Sequence, residues 1–514
     1  MTGAANVSMR AALPLGAAPP LVDGPFSRPT IVKVLLGAGL VAVVAGIPLP
    51  WMLAVWGAVG LLTVMAISPI LGLYAVLMAV GFSPTFGLSD DASASFSLSA
   101  FEPLLLLVFL FWLVQGIIRH RITLPREGLF GGLILLLSLL LLSGGGAVSF
   151  PLAIKETLKW VLLVLAYVYT RATIRDDRAT RSLLTALFLT GCAEAILGAV
   201  QFFVPLGPPA FAVGNFIRAY GMFGQPNPYA GYLGTILPIA LAMSLISHPG
   251  RFRVISAVSF MLIGLGILLS LSRGAWLGLA ISLGVMAMAW SPRARKLVIP
   301  LAALGVLVVA LASFELLPPS IASRITSATD NFGVFDVRSV PLTSENFAVV
   351  ERMAHWQAGW YMFQDYPILG VGPGNYPAVY EQYYIPPWKE PLGHAHNYYL
   401  NMAAEAGVPG LLALLTVLGL AFRALLRRIR SADEIMGVAG PATAARRTPA
   451  ASAKTVAVAL DPPFSPLLAR ALALGLLGSL AMFSIHNLFD NLLVHGVGIQ
   501  VGVLLGLIGG VSNR

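Results

Sequence analysis

Apolar runs of roughly 15–23 residues recur along almost the whole chain, separated by short polar connections. They lie near 31–48, 50–67, 68–83, 101–118, 129–143, 155–170, 182–204, 228–246, 254–271, 274–290, 297–316, 408–424, 466–484 and 492–511. Most are long enough as helices to cross a hydrocarbon core about 30 Å thick. The pattern predicts an all-α polytopic membrane protein of about 12–14 transmembrane helices, with one large external loop domain before the last three spans.

Two long connections interrupt the pattern in different ways. Residues 431–465 are rich in Ala, Pro and Thr without apolar periodicity, which reads as a flexible cytoplasmic linker. Residues 317–396 hold Trp356, Trp360, Trp388, many Tyr and both signs of charge, enough to fold as an external loop. Within them RMAHWQAGWYMF reads as an amphipathic helix with Trp356, Trp360 and Phe363 on one face. The stretch GVGPGNY (370–376) reads as a structural turn, because it follows no strand and lacks the Lys of a phosphate loop. No internal repeat is visible.

Composition excludes the soluble classes. The 514 residues are 57% hydrophobic and 11% charged, whereas a soluble domain has about a quarter of its residues charged. The lone Cys192 rules out an internal disulfide. Residues 1–28 read as a disordered cytoplasmic leader without the layout of a signal peptide.

Charge then sets the topology. Basic connections hold Arg119, Arg121 and Arg126; Arg171, Arg175, Arg178 and Arg181; Arg251 and Arg253; Arg293, Arg295 and Lys296; and Arg423, Arg427, Arg428 and Arg430. With the N-terminus inside, alternation of all fourteen runs puts every one of these on the cytoplasmic face. Merging 50–83 into one helix would invert everything downstream. The net charge of +10 is therefore mostly a topology signal, and nucleic acid is not an expected partner.

On this topology the unusual polar residues collect on the external side. Arg218 lies in RAYGMFGQPNPYAG and Arg273 in LSLSRGAW; GHAHNYYLNMAAEAGVPG (393–410) carries His394, His396, Asn397 and Glu405; FSIHNLFDN carries His486 and Asp490. Ionisable groups at bilayer depth are costly and mark a pathway or a site. The two arginines read either as interfacial anchors or as a clamp for an anion, and the guanidinium fork suits pyrophosphate. The paired histidines read as hydrogen-bonded interfacial groups or as a general base, and their spacing is a weak metal signal. Glu405 would neutralise a helix N-terminus, orient a catalytic group, or do both.

These stretches, with RMAHWQAGWYMFQDYPILGVGPGNY between them, resemble in order the signature segments of the O-antigen ligase and polymerase superfamily. Those are bacterial integral membrane glycosyltransferases that use undecaprenyl-diphosphate-linked glycans. The likeness covers about 200–415 and FSIHNLFD; the earlier spans match only in hydropathy. It implies an inner-membrane, multi-pass enzyme with its active face on the periplasmic side. The chain then divides into a leader (1–28), N-terminal helices (29–200), helices carrying the two arginines (201–316), the external loop (317–396), the His-Asn motif with its helix (397–430), the linker (431–465) and C-terminal helices (466–514).

The resemblance also implies roles. Arg218 and Arg273 match arginines thought to hold the donor diphosphate, and His396, directly before Asn397, matches the histidine proposed as base. The doubling to His394 leaves the base assignment open by two residues. Arg352, four before Trp356, matches a recurrent spacing without an assigned role. Asn227, Asn397, Glu405, His394, His486 and Asp490 complete the expected substrate-binding set. The implied partners are the lipid-linked glycan donor, a glycan or lipid acceptor and the bilayer; no cofactor and no metal are expected.

The implied reaction is an inverting, metal-independent transfer to an acceptor hydroxyl. A ligase and a polymerase share these motifs and differ in acceptor; the expectation leans to ligase. The Tyr- and Trp-rich segment 377–392 would offer sugar-stacking platforms to either. A transporter or flippase without chemistry is the rival from another class. Gly-rich spans such as 496–511 would suit one, but it should carry ionisable groups at mid-membrane and show repeat symmetry.

Overall fold

The structure, a computed structural model, describes residues 68–82, 99–314 except 121 and 123, 336–437 except 344 and 345, and 465–509, with isolated positions elsewhere. The leader, nearly all of the expected span 31–48, more than half of 50–67 and most of the linker lie outside the described residues, as does nearly all of 318–335. Two compact units divide at Pro69. In the first, the described residues include a helical turn in which the Thr63 hydroxyl donates to the Val59 carbonyl at 2.7 Å.

The second unit, Ile70–Arg514, is built of long helices. In chain order these are α1 (Ile70–Phe82), α2 (Phe101–Ile118), α3 (Gly128–Gly144), α4 (Phe150–Thr173), α5 (Asp177–Phe203), α6 (Pro226–Ile246) and α7 (Arg251–Leu269). There follow α8 (Arg273–Trp290), α9 (Val298–Ser313), α10 (Phe347–Asp365), α11 (Tyr398–Ile435), α12 (Pro466–His486) and α13 (Val497–Gly509). Among the described residues, eight helices are long and apolar enough to cross a membrane: α2, α5, α6, α7, α8, α9 with its preceding turn, α11 and α12. Helices α1, α3 and α13 are apolar but shorter, and α4 carries Lys155, Glu156, Lys159 and Arg171. Apart from one two-residue hairpin, Ala212–Val213 with Phe216–Ile217, the described secondary structure is helical. The protein is an all-α polytopic membrane protein.

Helices α6 and α12 are buried along most of their length, while α9 faces outward almost everywhere. Small residues permit this close approach, as is common where helices meet in lipid. A side chain at Gly475 of α12 would lie 2.7 Å from the Ile239 backbone of α6. Interhelical hydrogen bonds reinforce the contact: Ser479 donates to the Thr235 carbonyl at 2.5 Å, and Ser282 of α8 to the Gly478 carbonyl at 2.8 Å. The glycines of α13 have the same use. A Cβ at Gly506 would meet the Tyr167 carbonyl of α4 at 2.8 Å, so this Gly-rich helix packs closely against α4.

The expected basic connections gather at one end of the bundle. There Arg470 reaches Asp433 and the Trp290 carbonyl, each at 2.5 Å, Arg171 pairs with Glu127 at 2.7 Å, and Arg428 donates to the Leu507 carbonyl at 3.0 Å. The other end carries the loop segment 336–396. Its α10 forms where expected, but the buried face is Val350, Met353, Ala354, Ala358 and Met362, and Trp360 is exposed. The aromatic stripe is thus not the core face. Tyr380 and Trp388, expected as sugar platforms, are also taken into the core, with the Tyr380 hydroxyl donating to the Trp388 carbonyl at 2.9 Å.

Helix α11 departs most from expectation. It starts at Tyr398, ten residues before the expected span at 408, and runs to Ile435, inside the expected linker. Gly407 breaks it at φ 65°, beside Pro409. The carbonyls freed by such a break need partners. The loop supplies them: Val371 and Gly372 donate to the Ala404 and Glu405 carbonyls, both at 3.0 Å, and Val408 donates back to Pro367 at 2.8 Å. Ser143 of α3 adds a donor to Glu405 at 2.9 Å. The last helix begins at Val497 instead of 492, because Asn487 and Asn491 hold 487–493 in turns by accepting from the Leu492 and Leu493 amides, both at 2.9 Å.

Candidate functional site

The first element is the connection after α5. Two buried polar side chains of α5, which the sequence reading passed over, fix it in place. Gln201 accepts from the Tyr220 and Gly221 amides at 3.2 and 2.8 Å and donates to the Gly221 carbonyl at 2.9 Å. Glu194 accepts from Met222 at 3.0 Å. Gly221 sits at φ 55°, and a Cβ there would strike Glu194 and Tyr229. Arg218, half-buried just before this clamp, donates from Nε to the Ser270 carbonyl at 2.8 Å and from its terminal nitrogen to Asn227 at 3.3 Å. Asn227 therefore orients an expected arginine.

The second element is the turn 270–272, which joins α7 to α8. Ala219 donates to the Leu269 carbonyl at 3.0 Å, so the Arg218 connection is tied to the turn that precedes Arg273. Leu271, within the turn, has φ 51°, a conformation costly for a branched side chain. Arg273 opens α8. Its neighbour Gly274 lets α8 close on α12: a Cβ at Gly274 would lie 3.0 Å from the His486 ring.

The third element joins the His-Asn segment to the turn after α12. His486 is buried at the end of α12, and Asp490 is buried four residues later. One Asp490 oxygen lies 3.6 Å from Nδ1 of His396 and 3.8 Å from Nε2 of His394. These are ion-pair separations, longer than a hydrogen bond. His396 itself has φ 52°, and its backbone is held from several sides. Trp356 donates to its carbonyl at 3.2 Å, its amide donates to His394 Nδ1 at 3.0 Å, and Asn401 accepts from the Ala395 amide at 3.1 Å. Strained residues over-determined in this way cluster at functional sites. The Tyr398 amide donates to the Asn487 carbonyl at 2.8 Å, which locks the two segments together.

Two expected site residues have their polar groups occupied by the fold. Asn397 is the N-cap of α11: its side chain accepts from Tyr399 and Leu400, both at 3.1 Å. Glu405 neutralises a helix start, but not that of its own helix. Its carboxylate accepts from Gly374 at 2.8 Å and Tyr376 at 3.1 Å, at the start of the short helix Tyr376–Val379. This fixes GVGPGNY as a structural turn, with Gly370, Gly372 and Gly374 all at positive φ.

Burial and neighbouring charge divide the titrating groups. Burial favours a neutral Asp490, yet His396, His394 and Arg352 together hold its carboxyl well below the usual carboxylate range. His394 is pushed down to about 3 by burial and then by His396, against the pull of Asp490. His355 is also pushed down to about 3, by burial and then by His396. It lies buried in α10, 3.1 Å from the Tyr376 hydroxyl and edge-on to the His396 ring. Its burial had no signal in the sequence.

His394, His396 and Asp490 offer three ligand atoms within 4.8 Å of one another, close enough to hold a metal ion. The tautomer opposes it. His394 Nδ1 accepts from a backbone amide, so the neutral ring carries its proton on Nε2, the nitrogen facing Asp490. A metal there would have to displace that proton.

Arg218, Arg273, the His394–His396 pair and the buried Asp490 thus lie at the same end of a polytopic helical membrane bundle. Residues 258–415, from α7 into α11, match the family described as O-Antigen ligase. The chain is thus a multi-pass membrane protein with a segment that matches the O-antigen ligase family, in line with the resemblance. The matched segment contains Arg273, Arg352, His394 and His396; Arg218 and Asp490 lie outside it. No curated protein matches the chain.

Proposed function

We propose that the protein is an O-antigen ligase-like glycosyltransferase that moves a glycan from an undecaprenyl-diphosphate donor to an acceptor hydroxyl on the outer side of the cytoplasmic membrane. The observation that carries this reading is the meeting of His396 with Asp490, 3.6 Å apart, on the bundle end that also bears Arg273 and the Arg218 turn. In this reading Asp490 orients His396 through Nδ1 and stabilises its protonated form, which leaves Nε2 to take the acceptor proton. The acceptor oxygen attacks the anomeric carbon as the bond to diphosphate breaks. Arg218 and Arg273 receive the charge of the departing diphosphate. The single displacement inverts the anomeric centre.

Arg352, whose charge acts on Asp490, has no assigned role in this scheme. No nucleotide site is needed, because the lipid carries the activation. The tautomer of His394 supports a metal-independent reaction. A polymerase of the same superfamily would use the same groups with a lipid-linked acceptor.

The test is to incubate purified protein in EDTA with an undecaprenyl-diphosphate-linked oligosaccharide, first alone and then with candidate lipid and glycan acceptors. A ladder on the lipid alone identifies the polymerase; transfer only with a separate acceptor identifies the ligase. Full activity in all of His396→Ala, Arg218→Ala and Arg273→Ala would remove the site assignment. Activity that vanishes in EDTA and returns with a divalent ion would remove the metal-free mechanism.

A further inference from the structure

The end of α10 and the turn that follows carry an apolar surface on the outside of the molecule. Trp360 is 47% exposed, with its ring 5.5 Å from that of Phe363. Tyr366, Ile368 and Leu369 continue the surface, Ile368 at 71% exposure. The residues 360–369 hold a single charged side chain, Asp365, which accepts from the Tyr383 hydroxyl at 2.8 Å.

The height of this surface follows from α11. Val408 donates to the Pro367 carbonyl at 2.8 Å, which ties the turn to a fixed point on a helix long enough to cross the membrane. Arg423 opens the basic run at the far end of that helix, about 22 Å along the axis from Val408. Counted from Arg427 the distance is about 28 Å. A hydrocarbon core is about 30 Å thick, so on either count Val408 and the turn bound to it lie no higher than its boundary. Tilt of α11 lowers them further. The exposed stripe of α11 runs up to the same point, with Val408, Leu412 and Leu415 spaced i, i+4 and i+7.

The backbone of the turn suits that level, where polar groups need partners within the protein. The Tyr366 carbonyl accepts from the Gly370 amide at 3.0 Å and the Pro367 carbonyl from Val408. The Leu369 carbonyl accepts from the Ser143 hydroxyl of α3 at 2.6 Å. Pro367 has no amide to satisfy.

We infer that residues 360–369 form a foot seated in the lipid leaflet on the side of the site, with Ile368 and Leu369 in hydrocarbon and Trp360 and Tyr366 at headgroup level. Trp and Tyr are enriched at that level, where the ring is buried and its polar edge stays wet. Lipid is the occupant because the surface continues the exposed apolar stripe of a spanning helix. The foot also sets the height of the site. Trp356, one turn before Trp360 on α10, donates to the His396 carbonyl at 3.2 Å. The anchorage holds whichever reaction the site performs.

The experiment is spin labelling of the full chain in vesicles of phosphatidylcholine and phosphatidylglycerol, with Cys192→Ala as background. Single labels go at Ile368→Cys and Leu369→Cys, with Leu412→Cys as the lipid-facing reference and Glu390→Cys as the water-facing one. Oxygen concentrates in hydrocarbon and a nickel chelate stays in water, so collision with each gives the depth of a label. The labels at 368 and 369 are expected to favour oxygen several-fold more than the label at 390 and to approach the one at 412. Nickel access at 368 and 369 equal to that at 390 would put the turn in water and overturn the proposal. Shielding of both labels from both agents, relieved by dilution into excess lipid, would show a second copy covering the surface and overturn it as well.

Discussion

His396 and Asp490 meet across almost a hundred residues of sequence, with Nδ1 of the ring 3.6 Å from the carboxylate. One sits just before α11 and the other just after α12, and the Tyr398–Asn487 backbone hydrogen bond at 2.8 Å holds the two segments in register. The pair is set by the fold and not by flexible side chains reaching for each other.

Asp490→Asn keeps the shape of the side chain and removes its charge. Transfer should fall by about a hundredfold or more, on the scale of losing a group that orients and stabilises a general base. Measurement of kcat and KM separately checks it. The expected loss lies in kcat; a change confined to KM would assign Asp490 to substrate binding.

Arg218 uses Nε and a terminal nitrogen at once, toward Ser270 and Asn227. A lysine cannot reproduce that fork. Arg218→Lys should therefore lose about 10²–10³-fold in transfer, close to Arg218→Ala. Asn227→Ala should lose less, because the Ser270 contact remains. Radiolabelled donor turnover compares the three.

Glu405→Gln should act on stability. The amide can accept from only one of the Gly374 and Tyr376 amides, which leaves a buried donor facing a donor, at about 1–3 kcal/mol. A lower unfolding temperature in detergent with most of the specific activity retained is the expected result. Abolished activity at unchanged stability would return Glu405 to the reaction.

The buried histidines predict an acid-sensitive fold. His355 and His394 have folded values near 3, below the unfolded value of about 6.5. In that window the unfolded chain binds more protons, so stability falls as pH drops from about 6.5 towards 3 and is level above it. Each histidine contributes a slope of at most about 1.4 kcal/mol per pH unit, reduced for the partly exposed His394. Thermal unfolding against pH checks this, and His355→Asn should flatten the curve.

The sequence disclosed the bundle because bilayer thickness and charge asymmetry write themselves into run length and connection composition. It also disclosed the individual polar residues, since each stands out against an apolar background. Their division of labour was not legible. Asn397 and Glu405 look like His396 in sequence, yet their oxygens are consumed by backbone amides that only the fold brings near. Gln201 and Glu194 were hidden for the opposite reason: in an apolar run they read as tolerated polar positions, whereas they clamp the Arg218 connection from within α5. Trp360 misled the reading of α10, because aromatic spacing predicts a buried face only when the partner lies on that side.

The break at Gly407 has a consequence for motion. Amides 371, 372 and 408 are hydrogen-bonded across the break, so lifting the loop segment off the bundle would strand carbonyls of a membrane helix without partners. The stretch 367–372 is therefore bound to α11 as part of the bundle, and in hydrogen exchange its amides at the break should open together with α11 as a single slow unit.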